Sequence, residues 1–187
     1  ILGREPKTIP PGRYRVYLAP VALADIVGML SWGGLGLKSQ RTKQTVLIKM
    51  IEEGARLHPG VTISENTKDG VAENFQGQGF IKPDRIALIE NGAFRAALVS
   101  PRSAKEYDVP TNGANAWEAA ESVEMGAGDI PQEEVLARLG TGVYLNNVWY
   151  LNYSDRSSCR MTGISRFACF WVENGKIAAP LNVMRFD

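Results

Sequence analysis

The densest group of chemically versatile side chains lies in one stretch, Asn152–Lys176, which reads NYSDRSSCRMTGISRFACFWVENGK. Asp155 offers a carboxylate. Arg156 and Arg166 offer guanidinium groups, each a planar fork of donors that fits a carboxylate or a peptide carbonyl. With Arg160, these residues admit two interpretations, a structural network of ion pairs or a surface that contacts a peptide, and the pattern favours the network.

Both cysteines of the chain, Cys159 and Cys169, lie in the same stretch. Arg156 and Arg160 would favour a Cys159 thiolate, since nearby cations lower a thiol pKa, but no histidine base is close in sequence. Cys169 stands in a strand-like run and is predicted to be a small buried residue. Two cysteines ten positions apart match neither a disulfide framework nor a common zinc pattern, which favours a reducing cytoplasm.

His58 is the only histidine, so a zinc site made by two histidines is impossible within this chain. Its place before Pro59 and Gly60 predicts a residue at the end of a helix, close to the free carbonyls. No Gly-x-Ser-x-Gly elbow supports a Ser-His-Asp hydrolase. Neither a Walker loop nor a Gly-x-Gly-x-x-Gly turn supports nucleotide binding. No catalytic residue and no metal ligand is therefore assigned.

Length and composition indicate one soluble globular domain. A chain of 187 residues can bury one sizeable core, and 44% hydrophobic with 22% charged residues is an ordinary balance. The formal net charge of +1 does not favour nucleic acid as a partner. The apolar stretch Val16–Leu37 is interrupted by Pro20, Asp25 and glycines, so no membrane helix is predicted.

The elements that must position these side chains are mixed along the chain and do not alternate as β-α-β units. Apolar periodicity and turn signals predict helices over 20–30, 39–57 and 131–139. They predict strands over 14–18, 61–64, 85–89, 94–99, 143–151, 165–172 and 176–183. The fold class expected is α+β, with a mixed, largely antiparallel sheet and a few helices.

Two tight hairpins are predicted at Glu90–Gly92 and Glu173–Gly175, because an Asn-Gly dipeptide tolerates the positive φ angles of such turns. IENGAFRAAL and VENGKIAAPL around them resemble each other. Any two Asn-Gly hairpins look alike because the turn demands it, and the alternative is an internal duplication of a strand-rich unit.

Aromatic residues concentrate around the polar stretch. A core strand accounts for about half of them by alternation, and the excess could line a groove for an extended peptide or a partner. They are Trp149, Tyr150, Tyr153, Phe167, Phe170 and Trp171.

The run GTGVYLNNVWYLNYSDRSSCRMTGISRFACFWVENGKIAAPLNV, Gly140–Val183, closely resembles the C-terminal part of the TldD/PmbA family. This family was described as modulators of DNA gyrase and is associated with peptide maturation and proteolysis. ALIENGAFRAAL and PQEEVLARLG occur upstream in the order the family would place them. The resemblance implies that residues 1–187 form a single domain, the C-terminal part of a longer protein.

The resemblance also implies chemistry that this chain does not carry. Proteolytic members of the family act as zinc metallopeptidases, with a His-Glu-x-x-x-His helix in which the glutamate can serve as general base. That motif is absent here, and the family's further cysteine ligand would fall after Asp187. No cofactor is therefore expected in this chain. Two explanations are open: the full-length parent carries the zinc motif outside these residues, or the parent is PmbA-like and has no metal site.

The expected function is a scaffold and peptide-groove domain of a cytoplasmic metallopeptidase, inactive alone. The alternative is a non-catalytic PmbA-like binding or assembly subunit, and a third class is a self-sufficient cysteine or serine hydrolase. The expected partners are a peptide or unfolded polypeptide and a second chain, in a homodimer or a heterodimer with a sister TldD/PmbA-type chain. Tyr153, Asp155, Arg156 and Arg166 are the predicted substrate-binding residues.

Overall fold

The computed structural model describes residues 3–187, which divide into two compact units. The terminal unit comprises the residues up to Ile26, Asp129–Ser154 and Met161–Asp187. The central unit comprises Val27–Gly128 and Asp155–Arg160. Within the described residues, no helix combines the length and apolar character needed to cross a membrane.

The fold is α+β, as the sequence predicts, and its elements are short. The strands are β1 (Val16–Leu18), β2 (Ile63–Asn66), β3 (Arg85–Glu90), β4 (Ala93–Phe94), β5 (Val123–Met125), β6 (Gly142–Leu145), β7 (Val148–Asp155), β8 (Arg160–Ser165), β9 (Phe170–Glu173), β10 (Lys176–Pro180) and β11 (Arg185–Phe186). The helices are α1 (Pro20–Gly28), α2 (Leu37–Arg41), α3 (Ile48–Glu52), α4 (Pro101–Tyr107) and α5 (Val135–Leu139). Two 3₁₀ turns lie at Met29–Ser31 and Gln132–Glu134.

The terminal unit is built on a mixed sheet in the order β1-β6-β9-β10. β1 runs parallel to β6, and the other pairs are antiparallel. Val143 and Leu145 of β6 point to the apolar core, because side chains alternate between the two faces of a strand. Strands β11, β8 and β7 form a second, three-stranded sheet in that order.

The core of the terminal unit includes Cys169, which is 3% exposed. The prediction that this cysteine is a small buried residue is confirmed. Its buried neighbours in the same cluster are apolar, and half-buried aromatic and aliphatic side chains pack around them. The buried members are Ala22, Val143, Leu145, Val148, Cys169 and Leu181.

The central unit is built on an antiparallel sheet in the order β4-β3-β2-β5. All four residues of β2 are buried, although three of them are polar. The strand is internal to the sheet, and its polar side chains are used in hydrogen bonds. Glu65, for example, accepts bonds from the backbone amides of residues 121 and 122.

Both predicted hairpins are confirmed. The first hairpin joins β3 to β4 through Glu90–Gly92, and the second joins β9 to β10 through Glu173–Gly175. In each turn the Asn and the Gly both have positive φ angles. This backbone matches the right-handed twist of the paired strands, which is why Asn-Gly is favoured there.

The predicted helix over 39–57 is wrong, since the chain forms α2 and α3 with a break between them. Three residues of the break oppose a helix. Thr42 Oγ1 bonds to the Lys38 carbonyl, Lys43 has a φ of 57°, and Thr45 Oγ1 donates to the Gly34 carbonyl at 2.7 Å. Side-chain bonds to the backbone compete with helix formation, and a positive φ ends it.

Two further predictions need correction. His58 does not lie at a helix end, because α3 ends at Glu52, and its Nδ1 accepts a hydrogen bond from the Gly60 amide at 3.1 Å. The strand predicted over 165–172 is also wrong at its start. β8 ends at Ser165 and β9 begins at Phe170, so the intervening residues form a loop.

Candidate functional site

The four predicted substrate-binding residues fall at the end of β7 and just after β8. Tyr153 is a half-buried residue of β7, Asp155 ends that strand, and Arg156 follows it. Arg166 directly follows β8 and is exposed. Tyr153 and Arg166 belong to the terminal unit, whereas the other two belong to the central unit.

Asp155 is engaged in closing its own turn. Its carboxylate accepts hydrogen bonds from the Ser158 hydroxyl at 2.6 Å, from the Ser157 hydroxyl at 2.7 Å and from the Ser157 amide at 2.9 Å. These bonds, first that of Ser158 and then that of Ser157, lower the pKa of Asp155 to about 2. The carboxylate is therefore ionised at neutral pH and shapes the end of the strand.

Arg156 is bonded to loops of its own unit. Its Nη2 donates to the Trp32 carbonyl at 3.0 Å and approaches the Gln44 carbonyl at 3.5 Å. Both acceptors are main-chain oxygens outside helices and strands. A guanidinium can bridge two such groups because its donors are spread over a fork. Arg156 thus joins residues 155–160 to the loops that contain Trp32 and Gln44.

Arg166 stands in a different environment, against two aromatic rings. Its Cζ lies 4.3 Å from the Trp149 ring centroid and 4.4 Å from the Phe167 ring centroid. These distances are within the range of a cation–π interaction. Trp149 is 54% exposed and Phe167 is 61% exposed, so the group of three lies at the surface. We call Trp149, Arg166 and Phe167 the arginine cradle.

The loop that carries the arginine cradle is fixed at both ends. On one side Ser165, 1% exposed, exchanges two bonds of 2.8 Å with Met184: its amide donates to the Met184 carbonyl, and its hydroxyl accepts from the Met184 amide. The Arg166 amide donates to the Asn147 carbonyl at 3.0 Å. On the other side the buried Cys169 thiol donates to the same carbonyl at 3.6 Å. The arginine therefore projects from an ordered backbone.

An aromatic groove that contains none of the predicted site residues lies elsewhere in the terminal unit. Tyr17, Tyr144 and Phe170 are register partners on β1, β6 and β9, with ring centroids 5.1 Å and 6.2 Å apart. Burial, and then the neighbouring Tyr17, raise the pKa of Tyr144. The groove has a volume of about 310 Å³ and is also lined by Gln132, Val135, Leu136, Asn146, Ala168 and Ile177.

One sequence signal could have indicated this groove. In Gly142–Leu145, Val143 and Leu145 alternate with Tyr144, so inward-facing apolar residues place the tyrosine on the opposite face. The partners of Tyr144 come from distant parts of the chain. Only the register of the sheet brings them together.

Neither cysteine has the environment of a nucleophile. Cys159 is half-buried, and burial raises the pKa of its thiol. A raised pKa leaves the group protonated at neutral pH, whereas nucleophilic attack requires the thiolate. Cys169 lies in the apolar core of the terminal unit. Both are free thiols.

The buried carboxylates of the central unit are occupied by structural bonds. Glu118, 3% exposed, accepts bonds from the Lys38 amide at 2.7 Å and from the amide and hydroxyl of Ser100, both at 3.0 Å. Glu65, 2% exposed, accepts hydrogen bonds from the amides of residues 121 and 122. Buried charges are stable only when they are paired or hydrogen-bonded in this way. These contacts give both carboxylates a role in holding loops.

The described residues of this chain do not fit a zinc site. Across residues 3–187, no group of three or more His, Cys, Asp or Glu side chains is placed to hold a metal ion. His58 uses its Nδ1 for the Gly60 amide, and the two cysteines belong to different units. A catalytic zinc needs three protein ligands around one point. No reaction step through a metal is assigned to these residues.

Comparison with known proteins shows to which protein family this chain belongs. Residues 11–187 match the PmbA/TldA metallopeptidase C-terminal domain. The match extends over nearly the whole chain, so the protein belongs to this family, as the motifs in Gly140–Val183 indicate. No curated protein matches the sequence significantly.

Solved structures share the fold. A candidate modulator of a DNA gyrase from Thermotoga maritima is similar over 97% of this chain and 43% of its own, with 21% identity and a TM-score of 0.76. A candidate modulator of DNA gyrase from Bacteroides thetaiotaomicron matches over 94% and 39%, with 18% identity and a TM-score of 0.74. TldE from Thermococcus kodakarensis matches over 96% and 42%, with 16% identity and a TM-score of 0.71. The chain thus spans less than half the length of each of these proteins.

Proposed function

We propose that this chain is the scaffold and peptide-contacting domain of a TldD/PmbA-type metallopeptidase whose zinc site is built from other residues. The observation that carries the proposal is the family match over residues 11–187, a domain class that bears the name of a metallopeptidase. The His, Cys, Asp and Glu side chains of residues 3–187 form no group that could hold zinc, so we expect the chain alone to be inactive. Residues 1–187 would act as one domain within the longer protein.

The proposed substrate is a peptide or an unfolded polypeptide. Trp149 and Phe167 are exposed beside Arg166, and Tyr150, the next residue of β7, is exposed as well. Trp, Tyr and Arg are the residue types enriched at binding hot spots. Tyr153, Asp155 and Arg156 stay predicted substrate contacts. For Asp155 and Arg156, any such role would come in addition to the internal bonds described above.

The proposed assembly is a dimer in the cytoplasm, either of two identical chains or of this chain's parent with a sister TldD/PmbA-type chain. The likeness to TldE makes a sister-chain partner a specific hypothesis to test. The link to DNA gyrase is part of the names of two similar structures, and no residue of this chain adds to it.

The experiment compares the 187-residue chain, the full-length protein and the full-length protein mixed with a TldD-type chain that carries His-Glu-x-x-x-His. Peptide cleavage is followed by mass spectrometry, and assembly is followed by light scattering after size-exclusion chromatography. We expect no cleavage by the 187-residue chain and chelator-sensitive cleavage by the assembled protein. Cleavage by the 187-residue chain that survives a chelator and stops on Cys159→Ala would refute the proposal.

A second candidate is a PmbA-like, non-catalytic binding or assembly subunit. The potential metal ligands support this candidate as well as the first one. The only histidine of the sequence, His58, already accepts a hydrogen bond from the Gly60 amide. The two candidates differ in the parent protein. A full-length chain that lacks His-Glu-x-x-x-His but binds the sister chain would support the assembly role, whereas the presence of that motif would support the enzyme.

A further inference from the structure

We propose that the arginine cradle is a binding site for a carboxylate group of a peptide. The site consists of the Arg166 guanidinium as the carboxylate-binding group, with Trp149 and Phe167 as its aromatic support. The inference that the ligand is a peptide rests on the proposed function. The inference that the bound group is a carboxylate rests on the geometry of the site.

The first observation is that Arg166 has unused donors. Across residues 3–187, no acceptor lies within hydrogen-bond distance of its guanidinium group, and no carboxylate forms an ion pair with it. Other arginines of the chain do have such partners: Arg85 bonds to Glu124 and Arg138 bonds to Glu134. Aromatic rings offset part of the positive charge but offer no oxygen atom. The donors therefore remain available to a ligand.

The second observation is that the guanidinium is held in place before any ligand arrives. The backbone bonds of Ser165 and Arg166 fix the loop, and the two rings restrict the side chain. A free arginine on the surface loses side-chain entropy when it binds a ligand, and a supported one loses less. The cradle thus meets the main energetic requirement of a specific ionic contact at a surface.

The third observation concerns the ligand. A guanidinium fork matches the two oxygens of a carboxylate, which can accept two parallel hydrogen bonds. Trp149 and Phe167 expose apolar surface beside Arg166, which suits the side chains that flank a carboxylate in a peptide. The formal net charge of +1 does not favour a polyphosphate backbone. The carboxylate could be the C-terminal group of a peptide or the side chain of Asp or Glu.

The experiment titrates the 187-residue chain with four versions of one short aromatic peptide. One pair has a free or an amidated C-terminus, and the other pair has an internal Glu or Gln with the C-terminus amidated. The readouts are the dissociation constant and the shifts of the Arg166 side-chain and Trp149 indole NMR signals. We expect the carboxylate member of at least one pair to bind about tenfold more tightly, as one charge-assisted hydrogen-bonded contact would give.

Variants separate the cradle from a general charge effect. Arg166→Gln should abolish the preference for the carboxylate. Arg166→Lys keeps the charge but loses the fork, so it should recover only part of the preference. Arg138→Gln is the matched control, because it removes an exposed arginine from the same unit and should leave the preference unchanged. Thermal unfolding of each variant checks that the unit is folded.

Equal binding of all four peptides by the folded wild-type chain would overturn the inference, as would an equal loss of preference in Arg138→Gln. The titration uses neither a metal nor a partner chain. A titration without carboxylate preference would therefore contradict only the binding site at Arg166, and the proposed scaffold role would be unaffected. Carboxylate binding by this chain, together with no assembly and no cleavage by the full-length protein, would contradict only the proposed function.

Discussion

The first and second hairpins have nearly the same turn in different surroundings. Asn91 and Asn174 have φ angles of 50° and 49°, and the glycines that follow them have φ angles of 74° and 73°. The strands beyond the turns differ. β4 has two residues, whereas β10 has five and contains a shift in register. This contrast favours the interpretation that the two sequences resemble each other because the turn requires it.

The space around the two glycines differs more than their backbone conformation. A Cβ on Gly92 would lie 2.3 Å from the Leu57 carbonyl oxygen and 2.8 Å from that of His58. A Cβ on Gly175 would come no closer than 3.2 Å to any atom, the nearest being Ala137 Cα. In the central unit the glycine is required both by the turn and by the close approach of the neighbouring backbone. In the terminal unit it is required mainly by the turn.

The largest expected effect comes from Gly92→Ala. The variant combines the cost of a left-handed conformation with a clash against a fixed backbone, so we expect a loss of about 2–5 kcal/mol in the free energy of unfolding. Urea denaturation followed by circular dichroism measures it. A loss no greater than that of Gly175→Ala would contradict the contrast between the hairpins.

Gly175→Ala should have a smaller effect, about 1–2 kcal/mol, because mainly the conformational cost remains. The same denaturation experiment applies. Gly3→Ala is a suitable control, since a Cβ there meets no atom within 4 Å and φ is not in the left-handed region. If Gly175→Ala costs as much as Gly92→Ala, the surroundings of the second hairpin are tighter than the 3.2 Å approach to Ala137 Cα indicates.

The glutamates that precede the two turns provide a smaller, pH-dependent comparison. Glu173 accepts a bond from Lys7 Nζ at 2.9 Å and another from Trp171 Nε1, and these bonds, Lys7 first, hold the pKa of Glu173 below its ordinary value of 4.5. When the pKa of a carboxylate is lower in the folded chain than in the unfolded chain, the carboxylate stabilises the folded chain at a pH above the unfolded-state pKa. This stabilisation is lost as the pH falls through the folded-state pKa.

We therefore expect Glu173→Gln to destabilise the chain slightly at neutral pH, and the difference from wild type to shrink below about pH 4.5. Glu90→Gln is the matched variant in the first hairpin, where Glu90 pairs with Arg95 at 2.9 Å. Urea midpoints measured between about pH 6 and pH 3 test this. A difference that grows as the pH falls would show that the sign of the Glu173 contribution is wrong.

Local sequence signals predict the features that depend on neighbours in the chain. Asn-Gly dipeptides indicate both turns, and the apolar residues around Cys169 indicate its burial. The helix over 39–57 could not be rejected from apolar periodicity alone. The bonds that break it, from Thr42 and Thr45 to the backbone, depend on where the Lys38 and Gly34 carbonyls lie in the fold.

The candidate site is less predictable, because its contacts join distant residues. Arg166 could be selected from its type and its polar surroundings. Its support by Trp149 depends on the path of the chain through β7 and β8, and no periodicity in the sequence indicates it. The aromatic groove depends in the same way on the register of β1, β6 and β9, which brings Tyr17 beside Tyr144.

The central claim is that this chain provides the scaffold and peptide contacts, while the zinc ligands lie on other residues. Metal analysis of the purified, untagged 187-residue chain after equilibration with zinc and removal of the free ion tests it most directly. The account predicts far less than one zinc per chain. One tightly bound zinc per chain, lost on His58→Ala or Cys159→Ala, would contradict it.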